Sequence, residues 1–339
     1  MSDNGFDSEV KSKLAQVISD LKNSGKIGAE DVQGMRMLVF GDGYISISEA
    51  EALFDLNANC YPRDVSWNLF FIEALTDFMV RQVEPSGYVT VENSGWLISM
   101  ISKDGCVESD TELDLLINIL DQAKWSPESL VSFALNQVKQ AVIEGDGPIA
   151  KQNNLVRGFV GETEVNLLRK ILYAFGVDGG LAITKTEAEI LFDINDATAD
   201  AENHPNWSDL FVKAIANHIM SGSGYAVPNR QEALRREVWL DSEDTTGGFL
   251  SKMISRGGTR IFESYVEQSP EEAALARLEE QRLEIITGEK ITGSEAAWLI
   301  DRIGRDGIFH ENEKALLIFI KEESPDLHPS LKPLLEKAA

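Results

Sequence analysis

Apolar residues along this chain recur at intervals of three and four. Val10, Leu14, Val17, Ile18 and Leu21 fall on one stripe. So do Leu113, Leu116, Ile117 and Leu120, and so do Leu130, Phe133, Ala134, Val138 and Ala141. Such spacing gives an α-helix a single oily face. No stretch sustains the two-residue alternation of a half-buried strand, so the expected fold class is all-α.

The helical pattern is copied. Phe40-Gly41-Asp42-Gly43-Tyr44-Ile45 leads through Ser46 and Glu49 to Phe54-Asp55-Leu56-Asn57. Ile183 leads through Thr184 and Glu187 to Phe192-Asp193-Ile194-Asn195. A Trp-centred apolar segment follows each, Trp67-Asn68-Leu69-Phe70 and Trp207-Ser208-Asp209-Leu210-Phe211. Trp96 to Gly105 resembles Phe249 to Gly258, and Ser126-Pro127-Glu128 resembles Ser269-Pro270-Glu271, where Ser is expected to cap a helix with Pro in its first turn. A further copy begins at Trp298 and runs to Asp306-Gly307, with Glu313 beyond. Self-similarity of this kind marks repeat architecture. The expected organisation is therefore tandem helix–loop–helix units packed as two related helical domains. The first covers residues 7–145, the second 152–322 with an extra helix–loop–helix unit, and 323–339 form a C-terminal tail. The breaker cluster Gly145-Asp146-Gly147-Pro148 separates the two.

A finer motif sits at the joints: a glycine, an Ile or Val two residues on, and a carboxylate or amide four residues after that. It reads Gly25/Ile27/Asp31, Gly43/Ile45/Glu49, Gly87/Val89/Asn93, Gly158/Val160/Glu164 and Gly307/Phe309/Glu313, with Ile183/Glu187 and Ile291/Glu295 lacking the glycine. Gly105/Val107/Thr111 is a weaker copy beside Glu112. Ile27 and Ile45, Val89 and Val107, and Ile291 and Phe309 each lie eighteen residues apart, room for one short helix. Two such loops are expected to face each other through a short extended contact.

Two chemistries fit these joints. Ser46-x-x-Glu49, Thr184-x-x-Glu187 and Thr292-x-x-Glu295 are capping boxes, and glycine accepts the positive φ that ends a helix. The same residues overlap the second half of a calcium-binding EF-hand loop. Oxygen ligands at its first and third positions are missing, since Leu38 and Phe40, Met100 and Ser102, and Arg302 and Gly304 stand there. Calmodulin-type sites are therefore not expected.

Ile291-Thr292-Gly293-Ser294-Glu295 leading to Asp306-Gly307-Ile308-Phe309-His310-Glu311-Asn312-Glu313 resembles the tellurite-resistance TerB-like domains, as does Asp42-Gly43-Tyr44-Ile45-Ser46-Ile47-Ser48-Glu49. The resemblance covers the repeat units, half of the chain. It implies an all-helical fold, acidic loop residues holding a divalent metal, and a role in metal and chemical stress. Carried onto this sequence, the implied ligands are Asp42, Glu49, Asp104, Glu112, Asp306 and Glu313. The pattern breaks at Gly257-Gly258, where the acid is absent, and at the insertion around Asp178.

Charge narrows the partners. Lys and Arg number 31 against 56 Asp and Glu, a net charge of −25, which argues against nucleic acid and anionic lipid and suits a cation or a basic protein segment. Cys60 and Cys106 have no metal or redox spacing, no apolar run reaches membrane-spanning length, and no leader precedes the first helix, so a cytoplasmic protein is expected. His204, His218, His310 and His328 show no zinc spacing. No Walker lysine, nucleophile elbow or Cys/His pair appears, and no enzyme is expected. The functional expectation is a non-enzymatic acidic helical-repeat protein with a divalent cation at its joints. The alternative is a protein–protein interaction scaffold without metal.

Overall fold

The computed structural model describes residues 3–41, 43–153, 156–173, 183–221, 293–305, 308–323 and 328–338. In them the chain is mostly helical, as the stripes require. It divides into two compact units, Met1–Arg157 and Gly158–Ala339.

The first unit holds α1 (Asp3–Ser24), α2 (Ala29–Val39), α3 (Ile47–Asn59), α4 (Val65–Thr76), α5 (Val91–Ile101), α6 (Asp110–Gln122), α7 (Glu128–Glu144) and α8 (Gly147–Asn153). A π-helical stretch, Asp77–Gln82, extends α4. The α6 stripe is buried whole, Leu113, Leu116, Ile117 and Leu120 included, and α6 packs along α4, whose Phe70, Phe71 and Ala74 are buried as well. At about 25 cal/mol per Å² of apolar surface removed from water, this packing dominates the stability of the unit. Gly145 ends α7 in the left-handed region at φ +70°. The chain does not leave the unit there, because α8 turns back onto α6 and α7.

One element departs from the helical expectation. Ser102–Lys103 (β1) and Cys106–Val107 (β2) pair antiparallel, Ser102 with Val107 and Lys103 with Cys106. Asp104 (φ +58°) and Gly105 (φ +85°) make the turn. Two successive left-handed residues match the right-handed twist of a hairpin, and Asp-Gly supplies them.

The second unit holds α9 (Glu162–Tyr173), α10 (Lys185–Ala197), α11 (Pro205–Ser221), α12 (Gly293–Arg302) and α13 (Glu311–Glu323), then a 3₁₀ turn (Pro329–Leu331) and α14 (Lys332–Ala338). α11 packs along α13, as α4 does along α6. The stretch after 322, expected as a tail, packs instead: Leu331 and Leu335 are buried, and α14 lies against α13. The segments 249–258 and 269–271 compared above lie outside the described residues.

Each unit builds the same aromatic node. Phe54 meets Phe71 edge-on at 5.3 Å and Trp96 at 5.8 Å. Phe192 meets Phe211 at 5.1 Å and Trp298 at 5.6 Å. Trp67 and Trp207 are fully buried beside Phe71 and Phe211. Edge-to-face contacts of this kind add about 1 kcal/mol each beyond burial.

Candidate functional site

Five described joints, at Gly25, Gly43, Gly87, Gly105 and Gly158, are corners built in three steps. The glycine takes positive φ: Gly25, Gly43, Gly87, Gly105 and Gly158 lie between +67° and +91°. The apolar residue two positions on plugs the core, and Ile27, Ile45, Val89, Val107, Val160 and Ile183 are all buried. A polar residue then caps the next helix. Gly87 has the largest of these angles, φ +91°, and a Cβ there would also press on the Lys124 side chain at 3.0 Å.

The caps account for the acids. The Glu49 carboxylate accepts the Ser46 N–H at 2.7 Å and the Ser46 hydroxyl at 2.7 Å, while Ser46 Oγ accepts Glu49 N–H. Thr184 and Glu187 repeat the reciprocal box. Asp31 accepts from Gly28 N–H and Glu164 from Gly161 N–H. Glu313 uses both oxygens, Oε1 accepting Gly304 N–H at 3.1 Å and Oε2 accepting His310 N–H at 2.9 Å, and is 1% exposed. These bonds satisfy amides that a helix start leaves without partners.

Glu112 does more. Its Oε2 accepts the Ser109 hydroxyl at 2.8 Å and its Oε1 accepts Asn57 Nδ2 at 3.2 Å, joining α6 to α3. Asn57 Oδ1 in turn accepts Arg63 at 2.8 Å and Trp67 Nε1 at 3.1 Å. Burial pushes the Glu112 carboxyl above its usual range; the bonds from Ser109 and Asn57 pull it partly back, and the Glu108 charge adds to the rise. In the second unit Asn195, in the place of Asn57, accepts from Asn312 at 2.8 Å.

Of the remaining implied ligands only Asp104 is described. Asp104 is exposed at the hairpin tip, whereas Glu112 is buried. Asp42 and Asp306 lie outside the described residues. Among the described residues no group of three or more His, Cys, Asp or Glu is placed to hold a metal ion. Among the described residues the loops eighteen residues apart bridge to other segments, and the pair of Ile291 with Phe309 lies outside them. Ile27 bridges to Arg63 and Tyr88 to Trp125. The loops turn toward the segment before a later helix because the intervening helix must lay its stripe on the core.

Sequence reasoning missed who holds the plug residues. The Ile45 N–H donates to Gln82 Oε1 at 2.6 Å, Val107 to Gln137 Oε1 at 2.9 Å, Val160 to Asn203 Oδ1 at 2.8 Å and Ile183 to Asn217 Oδ1 at 2.9 Å. A side-chain amide thus latches four corners from a distance of 30 to 43 residues. Gln137 also donates to Gly105 O at 2.9 Å. It missed Ser126 too: Pro127 holds the cap position of α7, and Ser126 is buried with its hydroxyl unpartnered.

Arg302 fastens α12 to α10. It is 3% exposed and meets Asp193 at 2.8 Å and Glu189 at 3.2 Å, with its guanidinium 5.0 Å from the Phe192 ring centre.

The exposed apolar side chains gather most clearly on α4. Val65 and Leu69 are 87% and 71% exposed, and Ile72 continues their stripe. Leu69, Ile72, Arg36, Glu73, Asp77 and Arg81 line a shallow groove. Arg36 pairs with Glu73 at 2.5 Å and Arg81 with Asp77 at 3.2 Å. Thr76 accepts from Asn118 at its floor. The second unit does not repeat the stripe, for Pro205 and Asp209 stand at the places of Val65 and Leu69, and Asp209 pairs with Lys213. No helix among the described residues is long and apolar enough to cross a membrane.

No family model, no curated protein and no solved structure matches this chain.

Proposed function

We propose that this chain is a non-enzymatic, acidic helical-repeat protein that holds a protein partner on the α4 face of its first unit. The repeats are tandem three-helix units. In α2–α3–α4, α5–α6–α7 and α9–α10–α11 a first helix of 11 or 12 residues is followed by one of 13 and then a longer run, and α12–α13 begins a further copy. Helical repeats of this kind present helix faces to partners. The observation that carries the reading is the stripe Val65, Leu69 and Ile72, which the fold does not require, since the second unit builds the same helix without it. An apolar row at i, i+4 and i+7 is the contact pattern of helix-in-groove recognition.

The alternative of a divalent cation at the TerB-like joints finds less support. Glu112 and Glu313 have both oxygens engaged by donors and are nearly inaccessible, and Glu49 is closed on Ser46. Binding would need these bonds to break. A role in metal stress therefore rests on the sequence resemblance and not on ligand geometry.

The test is partner retention by the full chain. Leu69→Asp copies the residue that the second unit carries at this place, so it is expected to fold. If the α4 face is the docking surface, the partner bound by the wild type is lost in Leu69→Asp; identical binding by both would exclude it.

A further inference from the structure

We propose that the end of α4 is a two-register switch, in which the Ile45 N–H at the α2–α3 corner is held either by Gln82 across a π turn or directly by Asp77 from an ordinary α-helix. The proposal stands apart from the docking reading above, since it concerns only this chain's own bonds. The structure holds the first register. The Ile45 N–H donates to Gln82 Oε1 at 2.6 Å, Gln82 Nε2 donates to Asp77 Oδ2 at 2.5 Å, and Arg81 meets Asp77 Oδ1 at 3.2 Å. The Asp77 carboxylate thus fixes which end of the Gln82 amide faces the corner. Asp77 and Gln82 stand five residues apart. A π turn closes on that interval and brings the two side chains onto one face. An α-helix, at 3.6 residues per turn, sets them about 140° apart and breaks the bond. The two-link latch therefore belongs to the π form of Asp77–Gln82.

The second unit displays the other register. Asn217 lies ten residues beyond Trp207, as Asp77 lies ten beyond Trp67. Both tryptophans are fully buried, so the two helices seat alike. There the joint closes in one link, the Ile183 N–H donating to Asn217 Oδ1 at 2.9 Å, and α11 is α-helical from Pro205 to Ser221. α7 likewise holds Val107 through Gln137 without a π turn. The repeat thus closes this joint twice from an unbroken α-helix, and its packing does not demand the π turn of α4. Asp77 opens the π stretch, so its place on α4 is common to both registers, and its carboxylate offers the acceptor that Asn217 offers Ile183. Passing to the α register turns Gln82 away and moves Asp77 from Arg81 to the Ile45 N–H. Ile45 is fully buried, so its N–H needs an acceptor in either state, and each register supplies one. Two alternatives that are each complete in their bonds make a bistable element. Because Asp77 and Arg81 line the α4 groove, the switch also sets the charge which that groove presents.

Amide hydrogen exchange in the full chain tests this, read at Ile45 relative to Val107, whose own latch the variants leave alone. Gln82→Ala removes the π-register acceptor and is expected to speed exchange at Ile45 by about tenfold or less, because Asp77 takes the N–H over. Adding Asp77→Ala removes both acceptors and is expected to speed it by about a hundredfold in all. Asp77→Asn copies the residue that the second unit carries at this place, so it is expected to fold and to hold Ile45 directly. In that background Gln82→Ala is expected to leave Ile45 exchange unchanged. A Gln82→Ala protein that loses protection as fully as the double variant overturns the α register, and so does a Gln82→Ala effect of equal size with Asp77 and with Asn at that position. Exchange at Ile45 that Gln82→Ala leaves untouched in the otherwise wild-type chain overturns the π register.

Discussion

Glu49, Glu112 and Glu313 occupy the same place in their helices, three residues past the cap, and all three turn inward. Ser46 and Thr184 complete the reciprocal boxes, so Ser46→Ala and Thr184→Ala are each expected to cost about 1 kcal/mol, read by urea denaturation. Glu112 behaves differently with pH. Its folded pKa is raised by burial, so between the unfolded value and that raised value the native state binds the extra proton. Its contribution is complete below the unfolded pKa and is lost as pH rises through the folded one. Glu112→Gln is therefore expected to melt higher than the wild type at neutral pH, with the gap closing in acid. A gap that widens on acidification contradicts the burial argument. At this scale the boxes were legible, because Ser-x-x-Glu and Thr-x-x-Glu declare themselves within four residues. The amide latches were not: Gln82, Gln137, Asn203 and Asn217 lie 30 residues or more from the amides they hold, and no local pattern marks them.

Among elements, the helices followed from their stripes and the positive-φ glycines from the joint motif. The hairpin at Ser102–Val107 did not, since two-residue strands are too short for alternation to show, and Asp104-Gly105 reads equally as a helix end. Ser126 failed for a related reason: a serine before proline suits a cap, but here its side chain is drawn into the core. The strongest element-level prediction concerns Gln137, which holds the turn and the second strand of the hairpin. Gln137→Ala leaves the buried Val107 N–H without a partner and is expected to cost about 1–3 kcal/mol. Hydrogen exchange at Val107 should accelerate with it; unchanged protection there would mean the latch is idle. Trp67→Ala and Trp207→Ala, which empty matching aromatic nodes, are expected to cost about 3–5 kcal/mol each in chemical denaturation.

For the whole molecule, the sequence carried the helical class, while the α4 surface needed coordinates, because Val65 and Leu69 sit in an apolar segment that reads as core. The family resemblance had pointed toward cations at the joints, and the geometry turns Glu49, Glu112 and Glu313 toward the protein's own donors. In the function proposed above the joint carboxylates serve as helix caps and not as ligands. Its most direct test is a thermal melt of the full chain with and without millimolar calcium, magnesium, manganese or zinc, read beside calorimetric titration. No stoichiometric heat and no rise in melting temperature are expected. Saturable binding that stabilises the fold and disappears in Glu49→Gln or Glu313→Gln would contradict it.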